Sequence, residues 1–263
     1  MRRISFTVFL TITLGLLVGS FAQASDLLFE GYYKVMKGGA HAGYYIMKHE
    51  YDAKKKQFLS TTFLKIEGKD GITESIKAAA SENKFLPVSF TYTAMGGGQT
   101  RTIDAKVSGL KLTGTINANG KIEKVSRTIK KDTISSLFLI YAILSRPEGL
   151  KPNSPFAYEA VAEELADVTS GNVKIKDFED VNGTKALRLE NSFLGSESVN
   201  FVTDKGEVLM TLAPTQKLSV ELVAKPEQAL GSFSPPTSLL KSLFGNMPEG
   251  TKNSVAQSGK AGK

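Results

Sequence analysis

The sequence predicts a mainly β protein, a curved antiparallel sheet or open barrel with one central buried helix over about residues 133–145. Three observations point there. From Phe29 to Leu222 the apolar residues recur mostly at spacing two, the period of a strand with one buried face. The segments so defined are separated by turn-forming pairs. A single run near the middle of the chain follows helical spacing instead.

Along the chain, Leu86, Val88, Phe90 and Tyr92 make one strand face, with Pro87, Ser89, Thr91 and Thr93 on the other. Alternation continues through Ile103, Ala105 and Val107, then through Leu110, Leu112 and Ile116. Gly96-Gly97-Gly98 permits positive φ between two of these strands, and Asn119-Gly120 matches a tight hairpin. Downstream, Leu187, Leu189 and Phe193 follow an Asn182-Gly183 turn, and Val208, Met210 and Leu212 follow Asp204-Lys205-Gly206. Leu218, Val220 and Leu222 mark a last strand.

The exception is Thr133–Ser145, with Asp132 as the expected N-cap and Arg146-Pro147 as the stop. Ile134, Leu137, Phe138, Tyr141 and Leu144 share one side of such a helix, while Leu139, Ile140 and Ile143 make the other side apolar too. A helix apolar on nearly all sides belongs in a core, and this one is too short to span a bilayer. After Leu222 the alternation fails. Residues 225–263, rich in Pro, Gly, Ser and Lys, read as a flexible low-complexity tail. Within it Leu239, Leu240, Leu243 and Phe244 form a short apolar stripe able to dock on the domain or on a partner.

Residues 1–24 read as a signal peptide: Arg2 and Arg3, an apolar run from Ile4 to Val18, then Phe21-Ala22-Gln23-Ala24 with small residues at the cleavage positions. The expected product is a periplasmic protein with no transmembrane anchor after cleavage, holding one β domain over residues 25–224. The chain has no Cys, so no disulfide can brace it and its stability must come from packing. Its net charge of +7 is spread along the chain, and without basic-aromatic interleaving nucleic acid is not expected as a partner.

Catalytic signatures are missing. The two histidines, His41 and His49, would lie about 27 Å apart on one extended strand, too far to share a metal, and each is expected to be satisfied or exposed. Ser-x-x-Lys occurs three times without its companion motifs, and Gly195-Ser196-Glu197-Ser198 lacks the closing Gly of a nucleophile elbow. Glu163 and Glu164, adjacent on a strand, would point to opposite faces, and Asp177 and Glu179 border a turn as a solvated strand end. No metal, cofactor or enzymatic activity is therefore expected.

The Tyr-rich opening with its glycine turn (Tyr32-Tyr33 to Gly38-Gly39, then Gly43-Tyr44-Tyr45), the central Asp132-Thr133-Ile134-Ser135-Ser136-Leu137 stretch ending at Arg146, and the closing Val202-Thr203-Asp204-Lys205-Gly206 together resemble an uncharacterised family of exported bacterial proteins classed as a domain of unknown function. The resemblance implies a continuous antiparallel sheet curled around a helix, broadly similar to periplasmic lipoprotein-carrier folds. It supplies no catalytic residues. The expected function is non-catalytic binding of an apolar or envelope-derived ligand, a lipid or a lipoprotein-type cargo. Phe90, Tyr92, Phe138 and Tyr141 are the expected lining, and Arg146 would either meet a ligand headgroup or pair with a buried acid. The alternative is an envelope structural or assembly factor that binds other proteins through its sheet edges or C-terminal tail.

Overall fold

Tight hairpins generate almost the entire architecture. The computed structural model describes residues 25–69 and 71–261; the expected signal peptide lies outside the described residues. Eight strands follow one another in antiparallel succession: β1 (Asp26–Lys37), β2 (Ala40–Asp52), β3 (Gln57–Ile66), β4 (Ile72–Ser81), β5 (Pro87–Gly96), β6 (Gln99–Ser108), β7 (Lys111–Ala118) and β8 (Lys121–Thr128). Asn119 and Gly120 both take positive φ between β7 and β8, the two-residue geometry that matches the right-handed twist of the flanking strands.

A short strand β9 (Ile134–Ser135) precedes the one helix of the central region, α1 (Leu139–Leu144). A second set of hairpins then runs through β10 (Pro155–Ala162), β11 (Asp167–Val181), β12 (Thr184–Phe193), β13 (Ser196–Val202), β14 (Val208–Ala213) and β15 (Leu218–Val223). Pairing of β15 with β1, Tyr33 opposite Leu222, joins the two sets into one sheet of 15 strands. Its order runs from β8 through β1 and β15 to β10 and β9, and every pairing is antiparallel except β9 with β10. The expected curved antiparallel sheet is what forms.

Among the described residues no ladder joins the two ends of this sheet. Side chains bring them together instead: Val125 on β8 and Ile129 just after it pack in one cluster with Val161 on β10 and Ala166 in the β10–β11 turn. The Arg127 Nε on β8 donates to Asp167 at 3.2 Å. The same cluster takes in Ile76, Phe90, Tyr92, Ile103 and Leu112 from the intervening strands.

The central helix is shorter than the spacing predicts. Thr133–Ser135 is extended, Ser136–Phe138 is a single 3₁₀ turn, and only Leu139–Leu144 is α-helical. Asp132 does not cap it; its carboxylate accepts from Lys84 at 2.9 Å in solvent. The cause is tertiary. Ile134 and Ser135 pair in parallel with Ala160 and Val161, and the Ser135 amide donates to the Phe85 carbonyl, so these backbone groups cannot also serve a helix. Thr, Ile and Ser are weak enough helix formers to yield to that pairing.

The C-terminal region, expected to be a flexible low-complexity tail, is largely ordered against the sheet. It forms α2 (Pro226–Leu230), α3 (Thr237–Phe244) and α4 (Ser254–Ala261). Ala229, Leu240 and Phe244 cover Tyr32, Tyr44, Ile46 and Phe63, the face of β1–β3 opposite to Tyr33 and Tyr45. Polar anchors add to this cover. The Glu30 carboxylate accepts from the amides of Glu249 and Gly250, both at 2.7 Å, and the Asn253 side chain donates to the Glu30 carbonyl. His41 Nε2 lies 2.9 Å from the Ala229 carbonyl, with its ring edge-on to Phe233. Of the stripe, Leu240 and Phe244 are buried against the sheet with Leu243 packed beside them, while Leu239 stays exposed. None of the helices among the described residues is long and apolar enough to cross a membrane.

Candidate ligand-binding cleft

The segment from Thr133 to Leu144 crosses the inside of the curved sheet and shapes the site. Thr133 fixes its entrance, accepting from the Lys130 amide and donating to Glu159 at 2.6 Å. Ser135 and Ser136 then donate to the two carboxylate oxygens of Glu163, at 2.7 and 2.5 Å. Glu163 lies in the turn after β10 and is only 1% exposed. Burial pushes its carboxyl up to about 7, against the pull of the two serine hydroxyls and with a small further push from Glu164. The sequence places Glu163 on a strand without a role; its partners lie far upstream and no local pattern marks them.

Beyond Ser136, alternate side chains go to different neighbours. Phe138 is fully buried among the rings of Phe58, Phe85, Tyr141 and His49, with centroids 5.7–6.5 Å away. Ile143 enters a separate core with Val173, Ile175, Leu187 and Leu189. At the far end α1 rests on the β13–β14 turn, where a Cβ on Gly206 would lie 2.5 Å from Leu144 Cδ1. That close approach, with φ of 85° at the same residue, explains the glycine of Asp204-Lys205-Gly206.

Leu137, Leu139 and Ile140 face a cleft of about 380 Å³ between this segment and the sheet. Its lining comes from both halves of the fold. Tyr33, Tyr45, Met47 and Leu64 on β1–β3, with Val208 and Val220 from β14 and β15, are predominantly apolar. Asn191, Ser198, Asn200 and Thr211 on β12–β14, together with Ser136, supply amides and hydroxyls. Part of this polar wall is internally paired: Thr211 donates to Asn200 Oδ1 at 2.8 Å, and Tyr158 donates to Asn191 Oδ1 at 2.8 Å. No charged residue lines the cleft.

Two buried polar groups near it lack partners. Tyr33 is 2% exposed, borders the cleft, and its hydroxyl makes no hydrogen bond; burial raises its pKa well above the ordinary phenol value. His49 sits among the rings of Phe29, Phe138 and Tyr141 with Nδ1 unpartnered, contrary to the expected satisfied or exposed histidine. Burial lowers its pKa to about 4, so the ring is neutral at physiological pH.

The sequence-predicted lining is placed elsewhere. Phe90 and Tyr92 belong to the sheet core, where Tyr92 donates to Glu74 at 2.9 Å, and Phe90 also borders a charged depression beside the end of α3 with Lys77, Asp104 and Lys106. Phe138 and Tyr141 fill the aromatic cluster on the other side of the segment. Arg146 is exposed, 3.5 Å from Glu148 and stacked over the Phe156 ring at 5.0 Å, so its partner is neither a buried acid nor the cleft. The residues of this segment that face the cleft are the neighbours Leu137, Leu139 and Ile140.

No known family model and no curated protein matches the chain. Its fold is similar to that of a crystal structure described as a β-barrel-like protein of the domain of unknown function DUF1849 from Brucella abortus. The two align with a TM-score of 0.54 over 74% of this chain and 96% of the other, at 8% sequence identity. The similarity establishes a shared β-barrel-like architecture with a protein whose own domain has no assigned function.

Proposed function

We propose that the protein is an exported, periplasmic, non-catalytic binder that holds an apolar, envelope-derived ligand between the Ser136–Ile140 segment and the inner face of the sheet. The observation that carries this reading is the cleft itself: about 380 Å³, mostly apolar, crossed by a segment anchored at both ends. That volume falls within the range of small-molecule sites, roughly 300–1,000 Å³. The leader-like Arg2–Ala24 stretch supports export.

A hydrolase is less well supported. Ser136 with Glu163 is the hydroxyl–acid pair at the cleft, but the second carboxylate oxygen is occupied by Ser135, leaving the acid held as an acceptor for two serines rather than oriented as a base. An envelope assembly factor also has weaker support. The exposed edge strand β8 carries Lys121, Glu123, Lys124 and Arg127, charges that discourage strand addition, and the C-terminal stripe already covers β1–β3.

Diphenylhexatriene, a hydrocarbon fluorophore without polar atoms, tests the reading. It should bind saturably with one site per chain, and Val220→Trp, which fills the cleft from β15, should lower that affinity at least tenfold while circular dichroism shows the β fold retained. Unsaturable binding, or binding indifferent to the substitution, would count against the cleft.

A further inference from the structure

The C-terminal helices cover only part of the outer face of the sheet. They lie over Tyr44 and Phe63, and α3 ends beside β4, where Lys77 Nζ donates to the Ser242 carbonyl at 3.4 Å. From β4 to β8 the same face is bare and made of hydroxyls and lysines. Lys77, Thr91, Asp104, Thr115 and Lys124 are successive cross-strand partners, and in the next row Lys106 stands between Ser89 and Thr113. Neighbouring strands lie about 4.8 Å apart, so Lys77, Lys106 and Lys124, on alternate strands, are spaced by roughly 10 Å across the sheet.

Two depressions follow these rows, one of about 560 Å³ from the end of α3 to β6 and one of about 500 Å³ from β6 to β8. They share Asp104 and Lys106 and so form one groove. Its lysines, Lys77, Lys106, Lys111 and Lys124, are all exposed, and among the described residues none of them is in an ion pair. Against them stands Asp104, since Glu50 at the α3 end is held by Lys48 at 3.1 Å. The other half of the sheet is different: there Lys176 pairs with Glu190, and Arg188 with Glu179 and Glu190.

Lysines left uncompensated in one groove raise the local potential and draw anions to it. The serine and threonine hydroxyls between them donate and accept, as the hydroxyls of a sugar do. No exposed large apolar side chain lines the groove, so a bilayer finds nothing to bury there. Its only rings, Phe90 and Phe244, are buried, so nucleic acid bases find no platform for stacking.

We propose that this groove binds a linear acidic polysaccharide, its anionic groups received by Lys77, Lys106, Lys111 and Lys124 and its hydroxyls by Ser89, Thr91, Thr113 and Thr115. The groove lies on the face of the sheet opposite to the cleft, and its role does not depend on what the cleft holds.

Fluorescence anisotropy of a labelled hyaluronan oligosaccharide, which carries one carboxylate per disaccharide, tests this with the full chain at pH 7 and low salt. Binding should be saturable, and methyl esterification of the carboxylates should weaken it about tenfold or more. Lys106→Gln with Lys124→Gln should also weaken it about tenfold or more, with the β fold retained by circular dichroism. Lys151→Gln with Lys174→Gln removes the same charge from exposed positions outside the groove and should leave the affinity within about twofold. Absence of saturable binding would overturn the proposal. Equal losses in the two double variants would reduce the effect to the overall charge of the chain and overturn the groove as a site. Oligothymidylate of equal charge should bind more weakly than hyaluronan; equal or tighter binding would overturn the polysaccharide as its partner.

Discussion

Phe138→Ala should destabilise the protein by about 3–5 kcal/mol, among the largest single-residue effects in the molecule. Phe138 has no exposed surface and its ring contacts aromatic groups from β2, β3, the β4–β5 turn and α1. It also sits where the 3₁₀ turn passes into α1, so the cavity left by truncation would be walled by rigid rings and would relax little. Urea unfolding monitored by circular dichroism checks the value. A loss below about 1 kcal/mol would mean that the segment is packed loosely and does not hold the cleft in shape.

The second large effect is in the pH dependence. His49 is held neutral, its pKa lowered from 6.5 to about 4, so between those values the unfolded chain binds more protons and stability rises with pH. Glu163 behaves oppositely: its pKa is raised from 4.5 to about 7, the folded chain binds more protons in that window, and stability falls as pH rises through it. Each group contributes on the order of 3 kcal/mol, and between about pH 4.5 and 6.5 the two largely offset one another. Glu163→Gln keeps a hydrogen-bonding group against Ser135 and Ser136 but cannot ionise. The variant should match the parent near pH 4.5 and exceed its stability by up to about 3 kcal/mol at pH 8. Urea midpoints at pH 4.5, 6.5 and 8 give the difference directly, and the contributions of distant carboxylates cancel in it. Parallel curves for parent and variant would show that Glu163 is ionised in the folded protein without penalty.

The sheet was legible in the sequence because each hairpin is a local object. Asn119-Gly120 and Asn182-Gly183 announce their turns, and alternation on either side fixes the faces. The beginning of the central helix was not legible, since what holds Ile134 and Ser135 extended is β10, about 26 residues later in the chain, together with the Glu163 carboxylate. The docked C-terminal helices left a trace that alternation alone does not reveal. Tyr32-Tyr33 and Tyr44-Tyr45 are consecutive aromatic pairs, and strands buried on one face only have no use for them; both faces of β1 and β2 are covered here.

The cleft was the least legible feature. Its walls combine β1–β3 with β12–β15, and these meet only because β15 pairs with β1. Asn191, Ser198, Asn200 and Thr211 read in sequence as ordinary polar strand positions, and only the assembled curvature turns them toward Tyr33 and Ile140. Aromaticity drew attention to Phe138 and Tyr141, whose large rings complete a core, whereas the smaller side chains beside them leave the space.

The most direct measurement is native mass spectrometry, with lipid extraction, of the protein purified without detergent from the envelope fraction of its own cells. A chain beginning at Ser25 and carrying one apolar, envelope-derived ligand, absent from Val220→Trp, is the predicted result. A bare mass for the parent protein, or an adduct that persists undiminished in Val220→Trp, would contradict a ligand-binding role for the cleft.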